Sequence, residues 1–464
     1  MKVVVVGGGL AGLAAAIACA DGGAEVTLYE ARSRLGGATF SFQRNGLELD
    51  NGQHVALRCC TAYLDFLRRI GSDHRLPLQS RLRVPVLREG RRPATISRSG
   101  LRPPLHLASS LLRYEPLRFG ERVAAARAAA ALSKLDPTDP ALDTQTFASW
   151  LRARGQSDNA IAALWNLIAL PTLNLPAENA SLAVAVKVFR TGLLDAADAS
   201  DIGVPTVPFR LLHAEPAAAA LEAAGGQIHA STPVRSVGAG GRIAFDGGRD
   251  EADAVILALA HDTVDTVAPP GAVDVQALAG LGASPIVNLH VHYDRRVLEE
   301  PLAAALDSPV QWIFDRTGPS GAREGQLVAI SLSHAMDEIG ASVAELRGRY
   351  LPALERLLPP ARGAEVLDFA VTHEPRATFA AVPGTARLRP ESRTAVPGIY
   401  LAGSWTNTGW PATMESAVRS GLTAAQHALA EPSAPRGVEE ATSRRLDRGS
   451  KAEVPALPAP EQTQ

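Results

Sequence analysis

Cysteine is scarce in this chain of 464 residues: Cys19, Cys59 and Cys60 are the only three. Three thiols cannot build a disulfide framework, and they fit a reducing compartment. Cys59 and Cys60 are adjacent, with no other cysteine near enough in sequence to suggest a metal site, so no metal is expected. No run of about 20 apolar residues occurs, so no transmembrane helix is expected. The apolar opening Val3–Val6 is too short for the core of a signal peptide and runs straight into glycines. A cytoplasmic protein is expected, soluble or peripheral to the inner face of the cell membrane. Charge of one sign is also missing overall, since the net charge is −2. Nothing points to a nucleic-acid partner.

What the chain does have is enough apolar material for a core: 46 % hydrophobic residues against 20 % charged. Its length suggests two or three domains. The charge is unevenly placed. From Arg68 to Arg122 there are thirteen arginines and four acids, Asp73, Glu89, Glu115 and Glu121. Such a segment is either a solvated face or a surface suited to anionic lipid or a phosphorylated ligand.

Residues 2–6 read as a short buried parallel strand, Leu10 to Ala20 as an Ala-rich helix, and Glu25 to Tyr29 as a second strand. That is a βαβ opening. Short strands follow around Thr39–Phe42 and Leu47–Leu49, then over 81–100. Helical patterns cover Leu105–Leu132, Phe147–Arg154, Asn159–Leu170 and Ser181–Leu194. The second half alternates strands (284–294, 326–333, Val366–Val371, Ile399–Ala402) with a helix over Val343–Leu358 and a last one from about Ala412 to Ala430. Gly238-Ala239-Gly240-Gly241 lies between strands and reads as a turn, not a second nucleotide loop.

The glycines Gly7-x-Gly9-x-x-Gly12 follow a strand and open a helix, with Glu30 at the end of the next strand. Gly7 permits the tight turn, Gly9 lets the backbone approach a pyrophosphate, and Gly12 lets helix and sheet pack closely. The helix N-terminus offers N–H groups and a positive dipole end to phosphate. Glu30 can accept both hydroxyls of an adenosine ribose and would repel a 2′-phosphate. This pattern alone does not separate FAD from NAD.

Glu30-x-x-x-Arg34-x-Gly36-Gly37 resembles the extended FAD motif of the amine oxidase and phytoene desaturase group. The segment Gly398-Ile-Tyr-Leu-Ala-Gly403, followed by Gly409-Trp-Pro411-Ala-Thr-Met414-Glu415, resembles the C-terminal flavin segment of the same group. Three stretches carry a closer resemblance, to squalene-associated FAD-dependent desaturases, that is, hydroxysqualene dehydroxylases. They are Leu49-Asp-Asn-Gly-Gln-His-Val55, Trp165-Asn-Leu-Ile-Ala-Leu-Pro-Thr-Leu-Asn174 and Ala402–Glu415. The resemblance spans about residues 1–430. Ala38 stands where many relatives have Arg, and Ser404 where they usually have Asp.

The resemblance implies an α/β fold: a glutathione-reductase-like Rossmann FAD domain of amine oxidase topology, with an interleaved α+β substrate domain. The expected division is 1–75, 205–275 and 395–430 for FAD, 76–204 and 276–394 for substrate, and a disordered tail over 431–464. The expected FAD contacts are Gly7, Gly9, Leu10, Ala11, Gly12, Glu30, Ala31, Arg34, Gly36, Gly37, Val234, Gly403, Ser404, Pro411, Met414 and Glu415. The implied reaction is reduction of hydroxysqualene to squalene with loss of water, after an unidentified electron donor has reduced FAD. Its substrate is a long apolar isoprenoid, and helices around 164–175 and 182–194 either wall its tunnel or form ordinary core.

A proton must reach the leaving hydroxyl. His54 is a candidate acid, since histidine titrates near neutrality; it otherwise fixes local backbone. Asp50 either orients His54 or caps the turn. His373 and Glu374 either line the cavity or lie at an exposed strand end. Competing readings are a carotenoid-desaturase-like or amine-oxidase-like enzyme and, outside catalysis, a flavin-free binder of prenylated partners like the GDP-dissociation inhibitors. Only four lysines and six tyrosines occur, which disfavours an amine substrate.

Overall fold

A computed structural model describes residues 1–430; the expected tail over 431–464 lies outside the described residues. The N-terminal strand β1 (Lys2–Val6), helix α1 (Leu10–Asp21) and strand β2 (Glu25–Tyr29) form as the apolar pattern requires. Five parallel strands make one sheet in the order Ile399–Leu401, Ala254–Leu257, β1, β2, Gln227–His229. Val3, Val4 and Val5 are fully buried, as a parallel strand covered on both faces should be.

Helix α1 is nearly all Ala and aliphatic because it is covered on most sides. The last helix, Met414–Ala430, crosses it so closely that a Cβ on Gly421 would lie 2.1 Å from the carbonyl oxygen of Ala11. A three-stranded antiparallel sheet (Val234–Gly238, Arg242–Phe245, Gly248–Glu251) follows. Gly238–Gly241 is the turn expected there; Gly241 has φ +77° and no room for a side chain. Tyr29 stacks on Phe245 at 4.9 Å and joins the two sheets.

A seven-stranded sheet lies in the order Val366–Thr378, Ser284–Tyr293, Gln326–Ser333, Trp312–Asp315, Leu302–Ala305, Arg83–Leu87, Ala94–Ser97. Helix Val343–Leu357 packs Leu346, Tyr350 and Leu354 against Val287, Leu289, Val328 and Ile330 of this sheet. The strand expected to end at Val371 continues through His373 and Glu374 to Thr378, because its neighbour Ser284–Tyr293 offers a ladder that long.

The remaining layer is helical. The helix expected over Leu105–Leu132 is two pieces, Leu105–Leu112 and Phe119–Leu132, interrupted around Pro116. Three π-helical turns, Ile161–Trp165, Arg190–Leu194 and Arg210–Ala214, each adjoin an α-helix. Such turns often mark functional sites. Phe147, Trp165 and Phe189 pack together at 5.2 to 5.7 Å and share one core with Trp405 and Phe379. Among the described residues no helix is long and apolar enough to cross a membrane.

Candidate functional site: a dinucleotide crevice and its flanking histidine

Open parallel sheets bind ligands beyond the carboxyl ends of their strands. Here those ends bring together Gly7–Gly9 after β1, Glu30 after β2, Ala258-Leu259 after Ala254–Leu257, and Ala402–Ser404 after Ile399–Leu401. Trp405 donates its indole N–H to the Leu259 carbonyl (2.9 Å) and ties two of these ends together.

The glycines differ in what forbids a side chain. A Cβ on Gly7 would meet the Ala258 carbonyl oxygen at 2.4 Å, and one on Gly12 would meet the Gly7 carbonyl oxygen at 1.9 Å. Both are required by the fold. A Cβ on Gly9 would meet only Gly37 Cα, at an ordinary 3.6 Å. No protein atom excludes a residue there, so the open cradle fits a ligand backbone. Helix α1 has no side-chain cap and no acid in its first turn. The leading N–H groups, at Leu10, Ala11 and Gly12, therefore point to solvent or to an anion.

Two backbone N–H groups hold the Glu30 carboxylate. It accepts from Gly8 N–H (2.7 Å) and from Arg32 N–H (2.8 Å). Ala31 is exposed beside it, and Val234 is buried at the start of the neighbouring antiparallel strand. Gly36 donates to the Gly8 carbonyl (2.8 Å), so the second glycine pair lies over the first. Gly37 has φ +57°, and a Cβ there would press Gly9 at 2.8 Å. Arg34 lies 3.4 Å over the Phe40 ring and donates to the Gly37 carbonyl (3.2 Å). In this geometry Arg34 shapes the glycine loop.

The C-terminal segment is tied by residues the sequence reading passed over. Gly403 N–H donates to Ser420 Oγ (2.8 Å). Buried Arg389 donates to the carbonyls of Ser404 (3.2 Å), Trp405 (3.3 Å) and Thr406, and burial pushes its guanidinium down to about 10. Its Arg-Pro neighbourhood carries no motif, so only the fold reveals it. Ser404 therefore engages through its backbone, and no side-chain bond is formed by it among the described residues. Pro411 is buried, and the last helix starts at Met414, two residues later than expected, because Thr413 Oγ1 accepts from Ser416 N–H (3.2 Å) and caps it. The Met414 side chain packs against the core around α1.

The Glu415 side chain is engaged within the protein. Its fully buried carboxylate accepts from Ala62 N–H (3.2 Å) and Tyr63 N–H (2.8 Å), capping helix Thr61–Arg69, and also from Arg419 Nε (2.7 Å). The Trp410 ring meets two cations, Lys187 Nζ at 4.8 Å and Arg419 Cζ at 5.2 Å.

Asp50 does not orient His54. It is buried and accepts from Ser41 Oγ (2.7 Å), Phe209 N–H (3.0 Å) and Arg316 Nη2 (2.7 Å). Burial raises its carboxyl against the pull of Arg316. Asn51 accepts from Phe40 N–H and donates to the Ala38 carbonyl and to Glu374 Oε1, each at 3.0 Å. Glu374 thus braces the loop, while His373 is exposed on the strand. His54 tilts against Phe209 at 5.2 Å, and Phe209 stacks on His213, which bonds Tyr63 Oη at 2.6 Å. Burial pushes His54 down to about 4, so it is neutral at pH 7 and does not titrate near neutrality as expected.

A parallel sheet with an open glycine cradle, an uncapped helix N-terminus and an acid at the end of β2 defines an FAD-dependent oxidoreductase when joined to what the chain resembles. Residues 10–429 match the family described as flavin containing amine oxidoreductase, and the chain belongs to it. The chain is 29% identical to hydroxysqualene dehydroxylase of Rhodopseudomonas palustris, over 92% of its own length and 98% of that protein. It is 24% identical to zeta-carotene desaturase of Synechocystis, over 93% and 97%. An oxidoreductase from Methanosarcina mazei has the same fold, with a TM-score of 0.73 at 17% identity, covering 92% of this chain and 100% of the other. FAD membership retires the flavin-free binder. The residues present fit FAD at its adenosine and pyrophosphate end: Glu30 for the ribose, the α1 N-terminus with Gly9 for the phosphates.

Proposed function

We propose that this chain removes the hydroxyl of hydroxysqualene reductively, giving squalene and water. The observation that carries this reading is the near end-to-end similarity to a hydroxysqualene dehydroxylase. When bound and reduced, FAD supplies the hydride, and each turnover converts FADH2 and the alcohol to FAD, hydrocarbon and water. The chain's residues bind, orient and keep water out. Phe147, Trp165, Phe189 and Leu193 belong to the same buried apolar core as Trp405, and in this reading that core backs the path of a C30 chain. Departure of an allylic hydroxyl leaves a delocalised cation, and a dry wall protects it from water.

His54 holds the hydroxyl in this reading. Its ring makes no side-chain hydrogen bond among the described residues, and burial alone moves its pKa. As a neutral ring it donates one hydrogen bond, and it takes up a proton only when negative charge develops beside it. The Asp50–Arg316 pair positions the segment that carries it.

A desaturase reading is favoured by the similarity to zeta-carotene desaturase. The two run in opposite redox directions, so one experiment separates them. Purified protein is reduced anaerobically and mixed with hydroxysqualene. Return of the oxidised flavin spectrum with stoichiometric squalene supports the dehydroxylase. No reoxidation by hydroxysqualene, with reduction of the oxidised protein by a carotene, overturns it.

A further inference from the structure

Large apolar side chains are unevenly exposed on this protein. Within residues 101–119, Leu101 is 56% exposed, Leu105 59%, Leu112 60% and Phe119 71%. The local fold gathers them. Leu105–Leu107 and Ala108–Leu112 form one helical stretch, in which Leu105 and Leu112 are seven residues apart and share a face. Arg122, in the next helix, donates to the carbonyls of Leu112 (2.6 Å) and Leu117 (2.8 Å). It draws the turn bearing Phe119 against the end of the first helix. On the inner side Leu107 and Leu111 pack into the core, so the outer leucines belong to an ordered element.

Of the thirteen arginines of 68–122, Arg81, Arg91 and Arg92 are exposed ahead of this hairpin, and the other ten fall into three groups. Arg68, Arg69, Arg83, Arg88 and Arg98 pair with Asp65, Asp21, Glu300, Asp307 and Asp201. Arg75 and Arg122 donate to backbone carbonyls. Arg102, Arg113 and Arg118 are exposed, form no ion pair among the described residues, and are interspersed with the exposed apolar residues. Glu115 is the one exposed acid between them.

We propose that the hairpin of residues 101–122 docks the protein on an anionic lipid bilayer. Leu101, Leu105, Leu112 and Phe119 enter the boundary between headgroups and acyl chains, and Arg102, Arg113 and Arg118 meet lipid phosphates. Interspersed apolar side chains and cations match the layered chemistry of that boundary. Exposed apolar patches of monomers are otherwise small. The inner leucines put the docking face one side chain from the apolar core, so an insoluble ligand leaving the bilayer enters at this layer.

The test uses full-length, FAD-loaded protein and flotation with vesicles of phosphatidylcholine alone or with phosphatidylglycerol. Binding to the anionic vesicles is expected, weakening as salt rises. Each arginine near such a surface contributes a factor of about five, so replacing Arg102, Arg113 and Arg118 together by Gln is expected to weaken binding roughly a hundredfold. Replacing Leu105, Leu112 and Phe119 by Ser is expected to abolish binding at 0.15 M salt. Both sets are exposed, so FAD content and thermal midpoint stay at the wild-type value. As an orientation readout, the indole added by Phe119→Trp is quenched by brominated lipids. Absence of wild-type flotation at low salt, flotation that survives both sets of substitutions, or an unquenched Phe119→Trp indole overturns the proposal. A soluble protein as the true occupant would produce the first of these results.

Discussion

Gly9 and Gly12 are three residues apart in one motif, yet the structure separates their duties, and substitution of each by Ala tests the separation. At Gly9 the added Cβ meets only Gly37 Cα at 3.6 Å, and the backbone (φ −77°, ψ 178°) suits any residue. The apoprotein is therefore expected to keep its stability within about 0.5 kcal/mol. If the cradle holds the pyrophosphate, the same methyl meets it, and a tenfold weaker affinity for FAD is about 1.4 kcal/mol. Linkage makes this loss conditional. At a free FAD concentration of about 100 times the wild-type Kd, the ligand stabilises wild type by about 2.7 kcal/mol and Gly9→Ala by about 1.4 kcal/mol. At Gly12 the added Cβ stands 1.9 Å from a backbone oxygen, so helix and strand must part; that costs about 1–3 kcal/mol or more, with or without FAD. The assay is urea unfolding of apo and FAD-loaded protein, with Kd from flavin fluorescence. Equal loss in both forms for Gly9→Ala, or wild-type stability for Gly12→Ala, refutes the reasoning.

Other consequences can be measured alongside. Arg316→Met leaves the buried Asp50 carboxylate without its cation and is expected to cost about 3–5 kcal/mol at pH 8 by urea unfolding. Because burial raises Asp50, its folded form binds a proton before the unfolded form does, so this deficit shrinks as pH falls; a pH-independent deficit would contradict the account. Glu415→Ala removes the cap of helix Thr61–Arg69, and a loss of about 2 kcal/mol is expected in thermal unfolding. Burial holds His54 and His290 at about 4 and His213 at about 3, below the unfolded value of 6.5. The unfolded chain takes up these protons first, so stability is full above pH 6.5 and is lost as pH falls toward 4. A flat stability profile between pH 6.5 and 4.5 would rule out three neutral, desolvated rings.

The nucleotide end was legible because each of its parts is local. A Val-rich strand, three spaced glycines, an Ala-rich helix and an acid after the next strand lie within the first thirty residues, and backbone sterics link each to its place. The Arg34-x-Gly36-Gly37 loop and the C-terminal strand-turn-helix were legible for the same reason. The end of strand Val366–Thr378 was not, because its length is set by pairing with Ser284–Tyr293, far away in sequence. The break around Pro116 was missed because Ala and Arg on both sides sustain a helical pattern.

Side-chain duties depended on partners that sequence spacing does not reveal. Asp50 lies four residues before His54 but bonds Arg316, 266 residues away. Glu415 begins a helix beside the expected flavin segment, yet it caps a helix that starts at Thr61. His54 is an ordinary titrating group on paper; burial against Phe209 makes it a neutral one. The thirteen arginines form one basic run in sequence, and only tertiary pairing shows which are neutralised and which stay free among exposed leucines. The sequence by itself determined the FAD-binding class, since that depends on short-range backbone geometry. The electrostatic state of each charged group waited for the tertiary structure, because desolvation and long-range pairing are properties of the folded interior.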